Sequence, residues 1–202
     1  MGWWQTLGRI KHRFRLFPSF LWRGELKFLG VTWASKPTLC GRPFVSRFPG
    51  SKIEWGNSVV LDSSRRANPL GGDKPCVLRT MSPQARILLG DFVGLSSATL
   101  VAGNSIEIGS GTLVGAGCMI IDNDFHVADE RGGWRTEYVR NSRPIKIGRG
   151  CFLGARSIIL KGVQLGDGVV IGAGSVVTRN VPDACLVAGN PAQIIRTKQA
   201  TP

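Results

Sequence analysis

Aliphatic side chains return at every sixth position over the C-terminal part of the chain. Divided into sixes, "IGRGCF LGARSI ILKGVQ LGDGVV IGAGSV VTRNVP" sets Ile147, Leu153, Ile159, Leu165, Ile171 and Val177 in one column, with Gly148, Gly154, Gly166 and Gly172 in the next. Upstream, Ile108, Val114 and Ile120 keep that column with Gly109 and Gly115 behind them. Leu89, Leu95 and Val101 form another, set off by one extra residue, and a weaker start lies at Trp55, Gly56 and Leu61. A period of six fits neither a helix nor a simple alternating strand. It fits short strands separated by regular turns, stacked into a solenoid with aliphatics inside and small residues at the corners. A flexible glycine-rich segment would not keep an aliphatic in every sixth place.

Counting six on from Ile120 reaches His126, where the next interior aliphatic is due. From Asn123 to Pro144 the sequence turns polar, and the register restarts only at Ile147. The pattern therefore predicts a loop over 123–144 that leaves the coil at His126, and loops on a rigid scaffold are where binding and catalytic groups concentrate. In extended geometry Asp122, Asp124 and His126 face one side, so a carboxylate could hold one ring nitrogen and leave the other free. A second interruption, 62–85, carries Pro69, Gly71, Gly72 and Pro75 as turn signals.

Before the repeat, Trp3, Leu7, Ile10, Phe14, Phe17 and Leu21 recur at threes and fours, with Arg9, Lys11, Arg13 and Arg15 between them. That spacing predicts a basic amphipathic helix broken near Pro18. Such an arm suits either an anionic membrane surface or the open end of a solenoid, which needs a cap. The predicted organisation is an arm over 1–36, a solenoid over 37–198 with loops at 62–85 and 123–144, and a tail over 199–202.

The 202 residues carry 26 Lys and Arg against 13 Asp and Glu, a net charge of +13. That balance favours polyanionic partners, among them nucleic acid, anionic lipid and a phosphate-rich cofactor. No helix-turn-helix, RNA-recognition or zinc pattern accompanies the charge, which argues against nucleic acid. The five cysteines are widely spaced and contain no C-x-x-C pair, so reduced thiols and a cytoplasmic location are expected. No run of apolar residues is long enough to span a membrane.

With "DNDFH", the sixfold repeat and "VAGNPAQIIR" in view, the chain resembles the hexapeptide-repeat acyltransferases over roughly residues 53 to 198. Among these it is most similar to the sugar O-acetyltransferases of bacterial surface-polysaccharide synthesis. The resemblance implies an all-β fold, a left-handed parallel β-helix of three-sided coils, assembled as a homotrimer. It implies acetyl-CoA as donor, no metal, and a saccharide or lipid-linked glycan as acceptor. His126 is then the general base that takes the acceptor's proton, with Asp124, Asp122 and Ser96 beside it. The coenzyme is expected along the C-terminal coils between subunits, at Gly154, Ala155, Gly172, Ala173, Thr178, Arg179, Gln193 and Arg196. Arg149, Arg156, Lys161 and Lys198 are further cations available to its phosphates.

Two departures narrow the acceptor. The galactoside and maltose enzymes place an asparagine where this chain reads "GLSSA", leaving Ser96 or Ser97 to supply a hydrogen bond, and their usual tryptophan is Phe152. Simple galactosides and maltose are therefore disfavoured. The γ-class carbonic anhydrases share the solenoid but hold zinc with three histidines, whereas this chain has only His12 and His126. N-acetylation of an amino sugar, or a non-catalytic scaffold, are the competing expectations.

Overall fold

The computed structural model describes residues 19–66 and 68–197. Three walls of short parallel strands enclose one core, in sheets of 6, 8 and 6 strands. The chain passes from the first wall to the second to the third and then repeats, so each strand hydrogen-bonds to the strand one coil away. The result is a left-handed parallel β-helix.

Register sets the core. In the first wall Trp33, Trp55, Leu89, Ile108, Ile147 and Leu165 stack in order. In the second, Leu39, Leu61, Leu95, Val114, Leu153, Ile171 and Val187 do so. The third holds Val45, Leu78, Leu100, Ile120, Ile159 and Val177. Nearly all of these side chains are fully buried. Each closes on the coils above and below, which is how so short a strand becomes stable.

Three sequence expectations change here. The third-wall column runs through Leu100, not Val101, because the corner after Leu95 is one residue shorter than in the coils above it. Val101 consequently lies on the outer side. The interruption expected over 62–85 is narrower. Val60–Asp62 and Val77–Thr80 are both wall strands and only the segment between them leaves the coil. A four-residue strand with Leu78 as its single core aliphatic offers too little pattern to stand out from a loop. The solenoid also begins earlier than residue 37, since Thr32–Trp33 already pairs with Lys52–Trp55.

A helix, Ser19–Phe28, closes the open end. Gly30 takes φ 79°, and the Gly30 and Val31 N–H groups donate to Lys27 and Leu26 carbonyls, each at 2.9 Å. These two bonds and the Leu26–Val31 pair, both buried, form a Schellman ending. Arg47 then ties the turn to the first coil through Leu29 and Ser51 carbonyls, both at 2.6 Å. The cap is thus made by residues 19–31. The predicted amphipathic stretch from Trp3 to Phe17 lies outside the described residues.

Candidate active site

The edge between the third and first walls carries His126. Asp122 is fully buried there and faces the coil below: its Oδ1 accepts the Gly103 N–H at 2.6 Å and its Oδ2 the Asn104 N–H at 2.7 Å. Asn123 donates to the same carboxylate at 3.0 Å. Burial pushes the Asp122 carboxyl above the usual carboxylate range, against the pull of these hydrogen bonds. Asn123 Oδ1 also accepts the Phe125 N–H at 3.0 Å, and Phe125 takes φ 62° with its ring edge-on to Tyr138. This side-chain-closed turn swings the chain out of the coil.

His126–Ala128 then pairs antiparallel with Trp134–Thr136. The hairpin closes on Asp129, whose Oδ1 accepts N–H groups of Arg131 and Gly133 at 2.9 and 2.7 Å. Alternation puts His126, Ala128, Trp134 and Thr136 on one face and buried Val127 on the other. An open cleft of about 830 Å³ is bounded by Asp124, His126, Trp134 and Thr136. Trp134 is 76% exposed and presents its ring there.

The expectation that Asp122, Asp124 and His126 share one side is corrected. The turn at Asn123 and the left-handed Phe125 break strand alternation, so Asp122 points inward and Asp124 forms an ion pair with Lys161. Among the described residues no carboxylate bonds the His126 ring.

The edge between the second and third walls carries four more of the expected residues. Ala155 and Ala173 lie along it, with Gly154 and Gly172 just before them. A Cβ on Gly154 would fall 2.5 Å from the Ala173 nitrogen, and one on Gly172 would fall 2.9 Å from the Ala188 Cβ. These glycines are required by coil stacking. Ser97, not Ser96, sits in the corner itself, with φ 46°, a buried side chain and an Oγ lacking a partner among the described residues. Ser96 is half-buried on the outer side of the second wall, beside Asp62. A cavity of about 330 Å³ opens along this edge, lined by Leu70–Asp73, Ala116, Gly117, Ala155 and Arg156.

Thr178 and Arg179 are exposed on the His126 edge, whereas Gln193 and Arg196 lie on the strand Ala192–Thr197, which returns antiparallel along the second wall. Arg149 is committed to Asp167 at 2.8 Å on the remaining edge. Within one chain, therefore, the expected residues fall on two edges separated by a whole wall. A four-residue strand such as Thr99–Ala102 spans about 13 Å. Sequence reasoning missed Trp134 and Thr136. The "DERGG" turn flanked by alternating residues was the available signal, since it makes a hairpin that sets Thr136 opposite His126. Among the described residues no group of three or more His, Cys, Asp or Glu could hold a metal ion.

Residues 144–179 match a family model described as the hexapeptide repeat of succinyl-transferase. YvoF of Bacillus subtilis (strain 168), named as an acetyltransferase, is 35% identical over 146 residues, covering 71% of this chain and 77% of that one. SAR2635 of Staphylococcus aureus (strain MRSA252), also named as an acetyltransferase, is 44% identical over 62 residues, 31% of each chain. Among solved structures, the N-acyltransferase AntD from Bacillus cereus, in complex with dTDP and 3-hydroxybutyryl-CoA, superposes with a TM-score of 0.61. Its identity is 21%, covering 88% of both chains. A hexapeptide-repeat acetyltransferase from Vibrio cholerae complexed with acetyl-CoA gives 0.52 at 24% identity, over 74% of this chain and 71% of that one. These superpositions bear on the fold.

Proposed function

Because the chain belongs to the hexapeptide-repeat acetyltransferases and is an acyltransferase, we propose that it moves an acetyl group from acetyl-CoA to a saccharide hydroxyl, with His126 as general base. The observation that carries this is His126 itself: an exposed imidazole without a partner among the described residues, held on a hairpin at the rim of an open cleft.

The chemistry follows from that placement. A neutral imidazole there can accept the acceptor's proton as its oxygen attacks the thioester carbonyl. The tetrahedral intermediate collapses, the coenzyme thiolate leaves, and the imidazolium returns the proton to it. The exposed Trp134 ring offers a flat apolar surface for one face of a sugar. Ser96 supplies a hydroxyl for the oxyanion.

The site needs more than one subunit. The outer side of the third wall carries an apolar row, Phe44, Val77, Met119, Ile158 and Val176, interrupted by Thr99. With that wall turned toward a three-fold axis, the His126 edge of one subunit meets the Ala155 and Ala173 edge of the next. Coenzyme A then runs in the seam, its pantetheine arm along Gly154, Ala155, Gly172 and Ala173. Thr178, Arg179, Gln193 and Arg196 surround its polar end, the arginines pairing with phosphate. The nearby Arg156 adds positive charge to the same edge.

The enzyme works in the cytoplasm on surface-polysaccharide precursors, with its five cysteines as thiols. Leu21 and Phe28 are exposed on the capping helix, which follows the basic, aromatic residues 1–17 in the sequence. That end of the solenoid rests on an anionic membrane surface. Among the described residues no helix is long and apolar enough to cross a membrane.

The test is acetyl transfer from acetyl-CoA to a panel of saccharides, comparing the parent with His126→Ala. An alkali-labile ester formed by the parent and nearly abolished in the variant supports the reading. An alkali-stable amide would assign N-acetylation of an amino sugar instead.

A further inference from the structure

On the edge between the second and third walls two buried polar atoms, Asn68 Nδ2 and Ser97 Oγ, have no partner among the described residues. They lie together. A Cβ on Gly72 would fall 2.1 Å from Ser97 Oγ and 3.3 Å from Asn68 Nδ2, so both atoms converge on that one glycine. A buried donor left unpaired is costly, and two at one spot mark a position that an outside acceptor can satisfy.

Both atoms are held as donors. Asn68 Oδ1 accepts the Leu70 N–H at 2.9 Å, which closes a turn and leaves the amide nitrogen as the free end. Ser97 is pinned by its backbone: its N–H donates to the Asp62 carbonyl at 2.8 Å and its carbonyl accepts the Gly117 N–H at 3.2 Å. Its hydroxyl proton can turn toward the same point.

The corners of this edge stack in a ladder. The Gly117 N–H donates to Ser97, that of Arg156 to Ala116 and that of Gly174 to Ala155. Ser97 is therefore two coils below Ala155, about 10 Å. Between them opens the cavity bounded by Leu70–Asp73, Ala116, Gly117, Ala155 and Arg156. Gly72 is at once a wall of that cavity and the cover over both donors. Among the described residues, Leu70–Asp73 make no hydrogen bond to these corners; their bonds run to Asn68 and Arg65 in the same loop. Gly72 can thus be displaced without breaking a bond to the coil.

A carbonyl oxygen, with two lone pairs and no proton, matches two neutral donors. A pantetheine arm whose polar end lies at Arg179 and Arg196, and which passes Ala173 and Ala155, brings its acyl end to this cavity last. We propose that Asn68 Nδ2 and Ser97 Oγ donate to the acyl carbonyl oxygen of the bound thioester, taking the place of Gly72 as their neighbour, so that this corner distinguishes the acylated coenzyme from coenzyme A. This rests on the reading of the edge as the donor seam. After transfer the thiol product has no such oxygen, the two donors lose their acceptor, and release of coenzyme A is favoured.

The experiment is calorimetric titration of the intact oligomer with acetyl-CoA and, separately, with coenzyme A. The parent binds acetyl-CoA about tenfold more tightly. Ser97→Ala, and Asn68→Asp, which keeps the acceptor for Leu70 and removes the donor, each cut that preference about threefold or more and leave the affinity for coenzyme A unchanged. Equal affinities in the parent, a preference that survives both substitutions, or a Ser97→Ala variant that weakens both ligands alike overturns the proposal and leaves the donor seam standing. A parent that binds neither ligand overturns both.

Discussion

Lys161 and Asp124 form an ion pair across the long loop, joining the first residue pair of the departing chain to the corner of the coil above. Asp124 lies two residues before His126, and its backbone carbonyl accepts the His126 N–H at 2.7 Å. The carboxylate thus positions the histidine through the backbone, with no contact to the ring among the described residues.

Removing that pair tests positioning against direct participation. The two side chains are 29% and 45% exposed, so Asp124→Asn costs less than about 1 kcal/mol of stability once solvent screening is allowed for. Misplacing the hairpin lowers kcat on the order of tenfold. The pH–rate profile keeps the parent's shape. A changed profile would instead mean that the Asp124 carboxylate touches the ring in the assembled enzyme.

His126→Gln keeps the shape of an exposed hairpin residue and removes the base. The expected loss in kcat is roughly 10²–10⁴-fold, with the melting temperature and acetyl-CoA affinity unchanged. Steady-state kinetics beside calorimetry separates these effects. Equal losses in kcat and donor binding would point to a collapsed hairpin.

Asp122 gives a pH signature of stability, not of rate. Burial raises its pKa in the folded chain, so its contribution is fully present below the unfolded carboxylate value and is lost as pH rises through the folded one. The stability difference between the parent and Asp122→Asn therefore shrinks with rising pH across the carboxylate range and then levels off. The variant's amide cannot accept from both Gly103 and Asn104, which adds a pH-independent loss of about 1–3 kcal/mol. Melting temperatures measured from about pH 3, near the ordinary carboxylate value, upward to about pH 8 check this. A difference that widens with pH would show the hydrogen bonds outweighing burial.

Deleting residues 1–17 leaves Leu26, Val31 and the Schellman turn in place, so the solenoid keeps its cap. The truncated protein is expected to remain folded and to lose binding to anionic vesicles in a sedimentation assay. Aggregation on deletion would mean that the arm helps to cover the core end.

How far the sequence carried the fold can be judged at particular residues. The columns through Ile147, Leu153 and Ile159 were legible because each coil repeats the same demand on the same position. His126 stood out because the column failed there. Val101 misled because one short corner slips the count, and a slip of one residue turns a side chain from the inner to the outer side of its wall, where Val101 is buried outside the core columns. Asp122 looked like a partner for the histidine until the turn at Asn123 came into view, since the partners it holds, Gly103 and Asn104, lie a full coil away. The split of the expected site between two edges was equally hidden, because a period of six says which residues face inward and not which edges meet between subunits.

Titration of the purified oligomer with acetyl-CoA tests the central claim most directly, because the donor site is probed without knowledge of the acceptor. Saturable binding in the micromolar range, weakened by Arg179→Glu, is the expected result. An intact oligomer that binds nothing up to about 1 mM, where affinity falls to roughly 4 kcal/mol, would contradict it.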